Sequence, residues 1–334
     1  KNTDYHVIVK EKREREEAFA RLNVLFLKDN PALEDPDMYA SFIRHGMCRI
    51  TDLPPKIRGP TCESPGEYTD DGKYTLPIHK LQTAILGMCE DKQFDGRFHI
   101  DFGEEFTPGE HENVSLVVDA SGGRWQTPPE STTHKPIAHG ATFNIPCRLI
   151  GLPNFTTTDA PQHKYRVLPS YLPGGECDEY KYYVGVHLTP EEYASGDNIL
   201  NLKLKEALTY NHLELNDGAG DIKVSTFPIK LKHTKPAFSQ RDDVPDVALV
   251  GDSVLGVHFF SGSGVNSGMT MGRELVGCVQ DYNMNINEIA KCYNEKAQKI
   301  ASQAIEKSCT LAKQYNPGEQ ALRDNGCDIG QVQS

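Results

Sequence analysis

A glycine-rich turn between a strand and a helix limits the fold of this chain more than any other stretch. The run over residues 246–282 reads DVALVGDSVLGVHFFSGSGVNSGMTMGRELVGCVQDY. An apolar strand at residues 247–250 leads into Gly251 and Asp252, and the turn after them leads into a helix beginning near Val265. This order is typical of α/β sheets, in which ligands bind at the carboxyl ends of the strands.

The residue types in this turn fit a ligand-binding loop. Gly262 and Gly264 permit a positive φ or a close approach of the backbone to a ligand. The following helix presents unpaired N–H groups that favour a negative group, and Asp252 stands where open sheets place ligand-holding residues. The same letters also fit a plain strand, a flexible turn and an amphipathic helix, with Asp252 as a solvated cap.

The spacing GD, a loop and then GSGVNSGM resembles the flavin-contacting motif of the class A FAD-dependent monooxygenases, the aromatic-hydroxylase type. It is similar in particular to the monooxygenase domain of the MICAL proteins, whose corresponding segment also reads VALVGD. The resemblance implies that Asp252, following Gly251, holds the ribityl chain of FAD. It also implies cofactor contacts along the turn, at Gly262, Ser263, Gly264, Val265 and Asn266. Phe260 stands where the family usually has proline.

The first residues of the chain, YHVIVKEKR, predict a strand at residues 5–9. An acidic residue at the end of the second strand of a dinucleotide-binding unit accepts hydrogen bonds from ribose hydroxyls, so Glu11 is a candidate. The alternative is that EKRERE is a solvated charge run, which these residues by themselves favour. The pattern EKR followed by FARLNVLFL resembles the MICAL pattern and implies that Arg13, Arg21 and Asn23 lie along the cofactor, where guanidinium groups suit a pyrophosphate.

The glycine-rich phosphate-binding turn of that family, GxGxxG, has no counterpart in this sequence. We expect it upstream of Lys1, because without its strand the sheet would expose an apolar edge and face. The alternative is a protein that lacks this unit and binds no FAD.

A second motif follows a buried-type strand at residues 116–118, where ASGGR makes a sharp turn after Asp119. This turn resembles the family's second dinucleotide motif and implies cofactor contacts at Asp119, Ala120 and Gly122. A plain strand-to-loop turn is the alternative. Trp125 fits either a shield for flavin or substrate or core packing, and His79 fits either a cofactor contact or a surface residue.

Residues 134–232 contain β-type runs without long helices between them, such as ATFNIPCRLIG, KYRVLPSYLP, EYKYYVGVHL and DIKVSTFPIKL. In the resembling family this region is an antiparallel sheet on the substrate side of the flavin. That resemblance implies that Tyr180, Tyr182, Tyr183 and His187 line the substrate side, with alternate ones in the core. After the flavin motif, an apolar stripe from Ile286 predicts a long helix to about Gln314 that docks on the core or on a partner.

Composition excludes some classes of function. Thirty-five basic against 47 acidic residues give a net charge of −12, which argues against general binding of nucleic acid or anionic membranes. The apolar runs are far shorter than the ~18 residues of a membrane span. Nine cysteines without a C-x-x-C pair or a metal-site spacing indicate reduced thiols in a cytoplasmic protein and no metal site.

Together these features predict an α/β fold: a discontinuous, Rossmann-like FAD-binding βαβ sheet, an inserted antiparallel substrate domain and C-terminal helices. We expect the FAD-binding domain at residues 1–133, the substrate domain at 134–240, the continued FAD domain with its helix at 241–315, and a tail at 316–334.

The resemblance implies a monooxygenase in which FAD, reduced by NAD(P)H, passes oxygen to a small molecule or a protein side chain. A methionine of a protein such as actin is the narrower guess, although the net negative charge does not favour docking on another acidic protein. Another flavin oxidoreductase on the same scaffold and a non-catalytic interaction module are the alternatives. No catalytic acid or base and no oligomeric state is evident from the sequence.

Overall fold

The structure, a computed structural model, describes residues 5–20, 24–27, 30–49, 74–90, 96–107, 114–122, 136–145, 150–151, 165–170, 181–215, 221–240, 245–259, 263–314, 319–324 and 327. The strands in these ranges are β1 (Val7–Glu11), β2 (Val24–Leu27), β3 (Cys48–Arg49), β4 (Tyr74–Pro77), β5 (Phe98–Phe102), β6 (Val117–Asp119), β7 (Ala138–Ile145), β8 (Ile150–Gly151), β9 (Tyr165–Ser170), β10 (Lys181–Leu188), β11 (Leu213–Glu214), β12 (Lys223–Ile229), β13 (Lys232–His233), β14 (Phe238–Ser239), β15 (Val247–Leu249) and β16 (Leu255–Gly256).

The α-helices in the same ranges are α1 (Arg15–Ala18), α2 (Pro36–Arg44), α3 (Ile78–Cys89), α4 (Pro190–Ala194), α5 (Asp197–Tyr210), α6 (Ser263–Tyr282), α7 (Ile286–Gln314) and α8 (Glu319–Asp324). Side-chain capping explains where two of these helices begin. Asp35 accepts hydrogen bonds from the backbone N–H groups of Asp37 and Met38 at the start of α2, and Thr189 and Glu192 form a capping box on α4.

Parallel strand pairs make up the α/β part of the fold. β1 pairs with β5, and β15 lies between β6, which is parallel to it, and β14, which is antiparallel. β5 and β6 are consecutive strands that belong to different sheets, and each finds a partner far along the chain.

The middle of the chain forms the expected antiparallel sheet, in the order β12, β7, β10 and β9. One face of this sheet packs against α5. Along β10, the alternate residues Tyr182, Val184, Val186 and Leu188 are buried against Leu200, Leu204 and Ala207 of that helix. The alternation of side chains along a strand therefore leaves the other residues of β10 on the opposite face.

The helix pair α6 and α7 covers the β14–β15–β6 sheet and builds an apolar cluster with it. Tyr293 of α7 is fully buried there, and its hydroxyl donates to the backbone oxygen of Leu249 at 2.6 Å. Apolar residues of α7 at helical spacing, from Ile289 to Ala304, face this cluster as the sequence predicted. None of the helices in the described ranges has the length and apolar character to span a membrane.

Disulfides correct the interpretation of the cysteines. Cys278 of α6 is bonded to Cys292 of α7, and Cys309 near the end of α7 is bonded to Cys327. The prediction of reduced thiols is wrong for these cysteines, because antiparallel helix packing and the return of the chain after α8 bring the pairs together. Such bonds persist mainly in oxidising compartments, so the cysteines no longer support the predicted cytoplasmic location. Cys89 is a free thiol in the described ranges.

Candidate functional site

Two turns meet where the neighbouring parallel strands β6 and β15 end. Asp119 is the last residue of β6, and the turn Gly251–Ser253 follows β15 directly. The backbone N–H of Val250 donates to the backbone oxygen of Asp119 at 3.0 Å, which fixes the ends of the strands side by side. We call the pair of turns, residues 119–122 and 251–253, the double-turn site; it lies at the edge of the sheet where α/β proteins bind ligands.

Ser253 ties the two turns together. Its hydroxyl donates to Oδ1 of Asp119 at 3.2 Å and accepts a hydrogen bond from the N–H of Gly122 at 3.0 Å. Oδ1 of Asp119 also accepts from the N–H of Ser121 at 2.7 Å. The φ angle is +79° at Gly122 and +57° at Gly251. Both values lie in the left-handed region, which favours glycine.

The second carboxylate oxygen of Asp119 is the notable atom of this site. Asp119 is only 3% exposed, its Oδ2 is buried, and no described residue donates a hydrogen bond to that oxygen. A buried carboxylate oxygen without a donor is unfavourable unless a ligand or a water supplies one. The geometry therefore provides an acceptor for a hydroxyl or N–H group of a bound molecule.

The amino terminus of α6 faces the double-turn site. A Cβ added at Gly264 would lie 3.7 Å from Oδ1 of Asp252, so the first turn of the helix passes close to this carboxylate. Of the two properties predicted for Gly264, a positive φ is absent, because the residue lies within the helix. Close approach is the property that remains for Gly264. Further along the helix, Gly268 would place a Cβ 3.3 Å from Cα of Gly251, so glycines also allow this helix to rest on the turn.

Asn266 and Val265 face the N-terminal part of the chain. Nδ2 of Asn30 donates to Oδ1 of Asn266 at 2.7 Å, and Oδ1 of Asn30 accepts from the N–H of Ala32 at 2.9 Å. Asn30 is 1% exposed. Val265 packs against the apolar cluster that includes Leu27, Phe42 and Leu76. No local sequence pattern marks Asn30, because its partner is 236 residues away.

Glu11 and Arg13 lie at the end of β1 and bind each other; we call them the β1 site. Nε and Nη2 of Arg13 donate to the two carboxylate oxygens of Glu11 at 2.8 and 2.7 Å, and the backbone N–H of Arg13 donates to Oε1 at 3.0 Å. This pairing raises the pKa of Arg13. The structure thus places Glu11 at the predicted strand end, with its carboxylate paired to Arg13.

Lys232 is a site residue that the sequence reading missed. It lies on β13, and its Nζ donates to the backbone oxygen of Asp252 at 3.4 Å. Burial lowers the pKa of Lys232, while the charges of Asp119 and Asp252 act in the opposite direction and raise it. An ammonium group thus lies near both carboxylates of the double-turn site. Its positive charge does not distinguish Lys232 in the sequence, because the surrounding segment IKLKHTK also contains Lys230 and Lys235.

The face of the antiparallel sheet opposite α5 meets the loop before α6. His187 of β10 stacks on His258 with a ring separation of 5.9 Å, and Phe227 of β12 contacts Phe259 edge-to-face at 5.1 Å. Burial and the neighbouring His187 lower the pKa of His258 to about 3, so its imidazole is neutral at physiological pH. Gly140 completes this contact, because a Cβ there would lie 2.9 Å from the Phe259 ring.

The sequence grouped several aromatic residues that the fold separates. Tyr182 is 5% exposed within the cluster under α5, so it is a core residue, whereas Tyr183 and His187 belong to the other face. His79, in the first turn of α3, is partly buried. Ala120 is an exposed residue of the turn after β6. Other predicted residues lie outside the described ranges: Arg21, Asn23, Gly123, Arg124, Trp125, Tyr180, Phe260 and Gly262.

Comparison with known proteins identifies the fold. The chain superposes on a probable FAD-dependent monooxygenase, PqsL from Pseudomonas aeruginosa, with a TM-score of 0.56 and 15% identity, covering 96% of this chain and 92% of that one. It superposes on p-nitrophenol 4-monooxygenase PnpA from Pseudomonas putida with a TM-score of 0.58 and 12% identity over 96% and 86% of the two chains. It superposes on the flavin-dependent halogenase CmlS with a TM-score of 0.59 and 12% identity, covering 96% of this chain and 63% of that one.

No protein-family model matches the chain, and no curated protein matches it by sequence. At these identities the structural likeness establishes the fold alone. The chain therefore has the α/β fold of the FAD-dependent monooxygenases, as its motifs led us to expect. The particular resemblance to the MICAL domain stays a prediction.

Proposed function

We propose that this chain is a FAD-dependent monooxygenase that uses NAD(P)H and oxygen to oxygenate its substrate. The double-turn site carries the proposal. It combines an acceptor oxygen on Asp119 without a described donor, the Asp252 carboxylate and the glycine-bearing start of α6 at the ends of two adjacent parallel strands. These groups suit the polyol and the ring edge of FAD, because carboxylates accept hydrogen bonds from hydroxyls and a helix amino terminus favours an electron-rich group.

The residues of the chain have separate roles in this proposal. Asp119 and Asp252 hold the polyol through hydrogen bonds, and the first turn of α6, with Gly264, Val265 and Asn266, borders the flavin ring. Ala120, Gly122 and Gly251 shape the two turns. At the other end of the cofactor, Glu11 accepts from the adenosine ribose, and Arg13 orients the Glu11 carboxylate. Arg21, Asn23 and Gly262 complete the set by resemblance.

FAD, when bound, would take a hydride from NAD(P)H and reduce O₂ so that one oxygen atom enters the substrate and the other leaves as water. The protein contributes position and exclusion of water. We place the substrate beside the sheet face of Tyr183 and His187, where the His258–Phe259 loop seals the contact between the sheet and α7. This face belongs to the region that we expect to form the substrate domain, residues 134–240.

A small molecule is the substrate class that we favour. One PqsL structure was solved in complex with 2-aminobenzoylacetate, and this chain matches it with a TM-score of 0.54. Oxidation of a methionine in a protein such as actin is the narrower reading that a MICAL relationship would bring, and the net charge of −12 disfavours docking on an acidic partner. Halogenation is a second candidate function, because the fold also matches the halogenase CmlS.

Flavin binding tests the proposal directly. The purified protein, incubated with FAD and passed through a desalting column, is expected to retain the absorption bands of oxidised flavin, and Asp252→Ala to lose most of them. Asp281→Asn, an exposed change on α6, is the matched control and is expected to retain the flavin. NADPH-dependent oxygen uptake then separates the reactions: an oxygenated product supports a monooxygenase, and a halide-dependent product supports a halogenase. A wild-type protein that retains no flavin would refute both.

A further inference from the structure

Lys232 is held against the double-turn site by the packing of two short strands. It pairs with Gly256 of β16, which follows the turn Gly251–Ser253 almost directly. A Cβ at Gly256 would lie 3.1 Å from Cβ of Lys232 and 3.0 Å from the backbone oxygen of Lys230. Glycine at this position therefore allows the strands to approach so closely that the lysine stem reaches the backbone oxygen of Asp252.

The positive charge of Lys232 lowers the electrostatic cost of placing Asp119 and Asp252 at one site. Burial lowers the pKa of its ammonium group, and the charges of Asp119 and Asp252 both act in the opposite direction and favour the charged form. Without this ammonium group, the carboxylates of buried Asp119 and exposed Asp252 would repel a phosphate group.

The hydrogen-bonding groups of the site also define what it can bind. Oδ2 of Asp119 is a buried acceptor that no described residue supplies with a donor, and the ammonium of Lys232 is a pure donor. A ligand that complements both must carry a hydroxyl group next to an anionic oxygen. A sugar alcohol phosphate has this combination, and riboflavin, which lacks the phosphate, has only half of it.

We propose that Lys232 binds the phosphate at the end of the ribityl chain of a flavin nucleotide while Asp119 accepts from a ribityl hydroxyl. This inference rests on the proposed flavin-dependent function and assigns the phosphate contact to a residue outside the motifs of the chain. Lys232 is a positioning residue for the cofactor. If Lys232 contacts the phosphate, its loss weakens the binding of flavins that carry a phosphate and leaves the binding of riboflavin unchanged. If Lys232 only supports the fold, its loss affects both kinds of flavin alike.

The experiment compares FAD and riboflavin on matched variants. Lys232→Met keeps the apolar stem and removes the charge, Lys232→Arg keeps the charge, and Lys230→Met removes an exposed charge two residues away. Quenching of flavin fluorescence gives the Kd of each ligand. We expect Lys232→Met to weaken FAD binding by about tenfold to a hundredfold, as for loss of a hydrogen bond to a charged group, and to leave the Kd of riboflavin unchanged. Lys232→Arg and Lys230→Met are expected to bind FAD within about threefold of wild type.

The outcomes separate this inference from the function on which it rests. One outcome is that wild type binds FAD and that Asp252→Ala weakens this binding. If Lys232→Met then binds FAD normally, or loses as much affinity for riboflavin as for FAD, the phosphate contact is wrong and the flavin function stands. If wild type binds neither ligand, the proposed function itself fails. If Lys232→Met does not fold, the salt dependence of the Kd for FAD is measured on wild type and on Lys232→Arg. A steep weakening of FAD binding with salt, equal in both proteins, supports the contact, and no dependence on salt overturns it.

Discussion

The two ends of the proposed cofactor site are built in different ways. At the double-turn site Asp119 is 3% exposed and lies on a strand next to β15, whose residue Val247 is 1% exposed. At the β1 site the side chains of Glu11 and Arg13 are 25% and 28% exposed, and the strand that carries them exposes half of Val7. Within the described residues, β1 has one partner strand, whereas β15 has one on each side.

This difference separates a preformed site from a solvated one. Hydrogen bonds to the buried Asp119 carboxylate act in a medium of low dielectric, where an unpaired carboxylate oxygen is costly and a ligand hydroxyl gains most. The Glu11–Arg13 pair is partly in water, and pairs of this kind contribute about 0–1 kcal/mol. Changes to the packing around the double-turn site should therefore reduce stability far more than changes around the β1 site.

The largest effect is expected from the disulfide that joins α6 to α7, the helices that cover the β14–β15–β6 sheet. Replacing Cys278 and Cys292 together by alanine opens a link between residues 14 apart, which should lower the free energy of unfolding by about 3 kcal/mol. Urea denaturation followed by circular dichroism measures the change. Cys89→Ala, at a free and half-buried thiol, is the control and should shift the midpoint much less. A double variant with the wild-type midpoint would show that this bond does not stabilise the fold.

The next largest loss of stability is expected where α6 packs on the turn Gly251–Ser253. In Gly268→Val the new side chain meets the backbone of Gly251, and overpacking of this kind reduces stability by about 2 kcal/mol. Gly272→Val places the same residue on the same helix where nothing lies within 4 Å of the added Cβ, so the two variants share the cost in helix propensity. The difference between their unfolding free energies isolates the contact with the turn. Equal values would mean that the helix does not rest on Gly251.

Local patterns in the sequence predicted most of the elements that frame the site. The apolar run before Gly251 became β15, the glycine-rich turn led into α6, and the stripe beyond Ile286 became α7. Such features depend on neighbours within a few residues, which the sequence displays directly. The alternation along β10 likewise separated Tyr182 in the core from Tyr183 on the other face.

Features that depend on distant partners could not be predicted in this way. Ser253 and Gly122 are 131 residues apart, and the roles of Asn30 and Lys232 follow from groups that the fold brings beside them. The pairing of β5 with β1 and the disulfides depend on tertiary contacts in the same sense. Asparagine, serine and lysine are common surface residues, so their type alone carries no signal for a site.

The smallest effect is expected at β1, and it gives the sharpest test of the contrast. Val247→Thr buries a hydroxyl in the cluster under α6 and α7 and should lower the free energy of unfolding by about 1.5 kcal/mol. Val7→Thr makes the same change at a half-exposed position of β1 and should stay within about 0.5 kcal/mol of wild type. Both are measured by urea denaturation under the same conditions. A loss at Val7 as large as that at Val247 would mean that β1 is covered in solution, and the difference between the two ends of the site would then disappear.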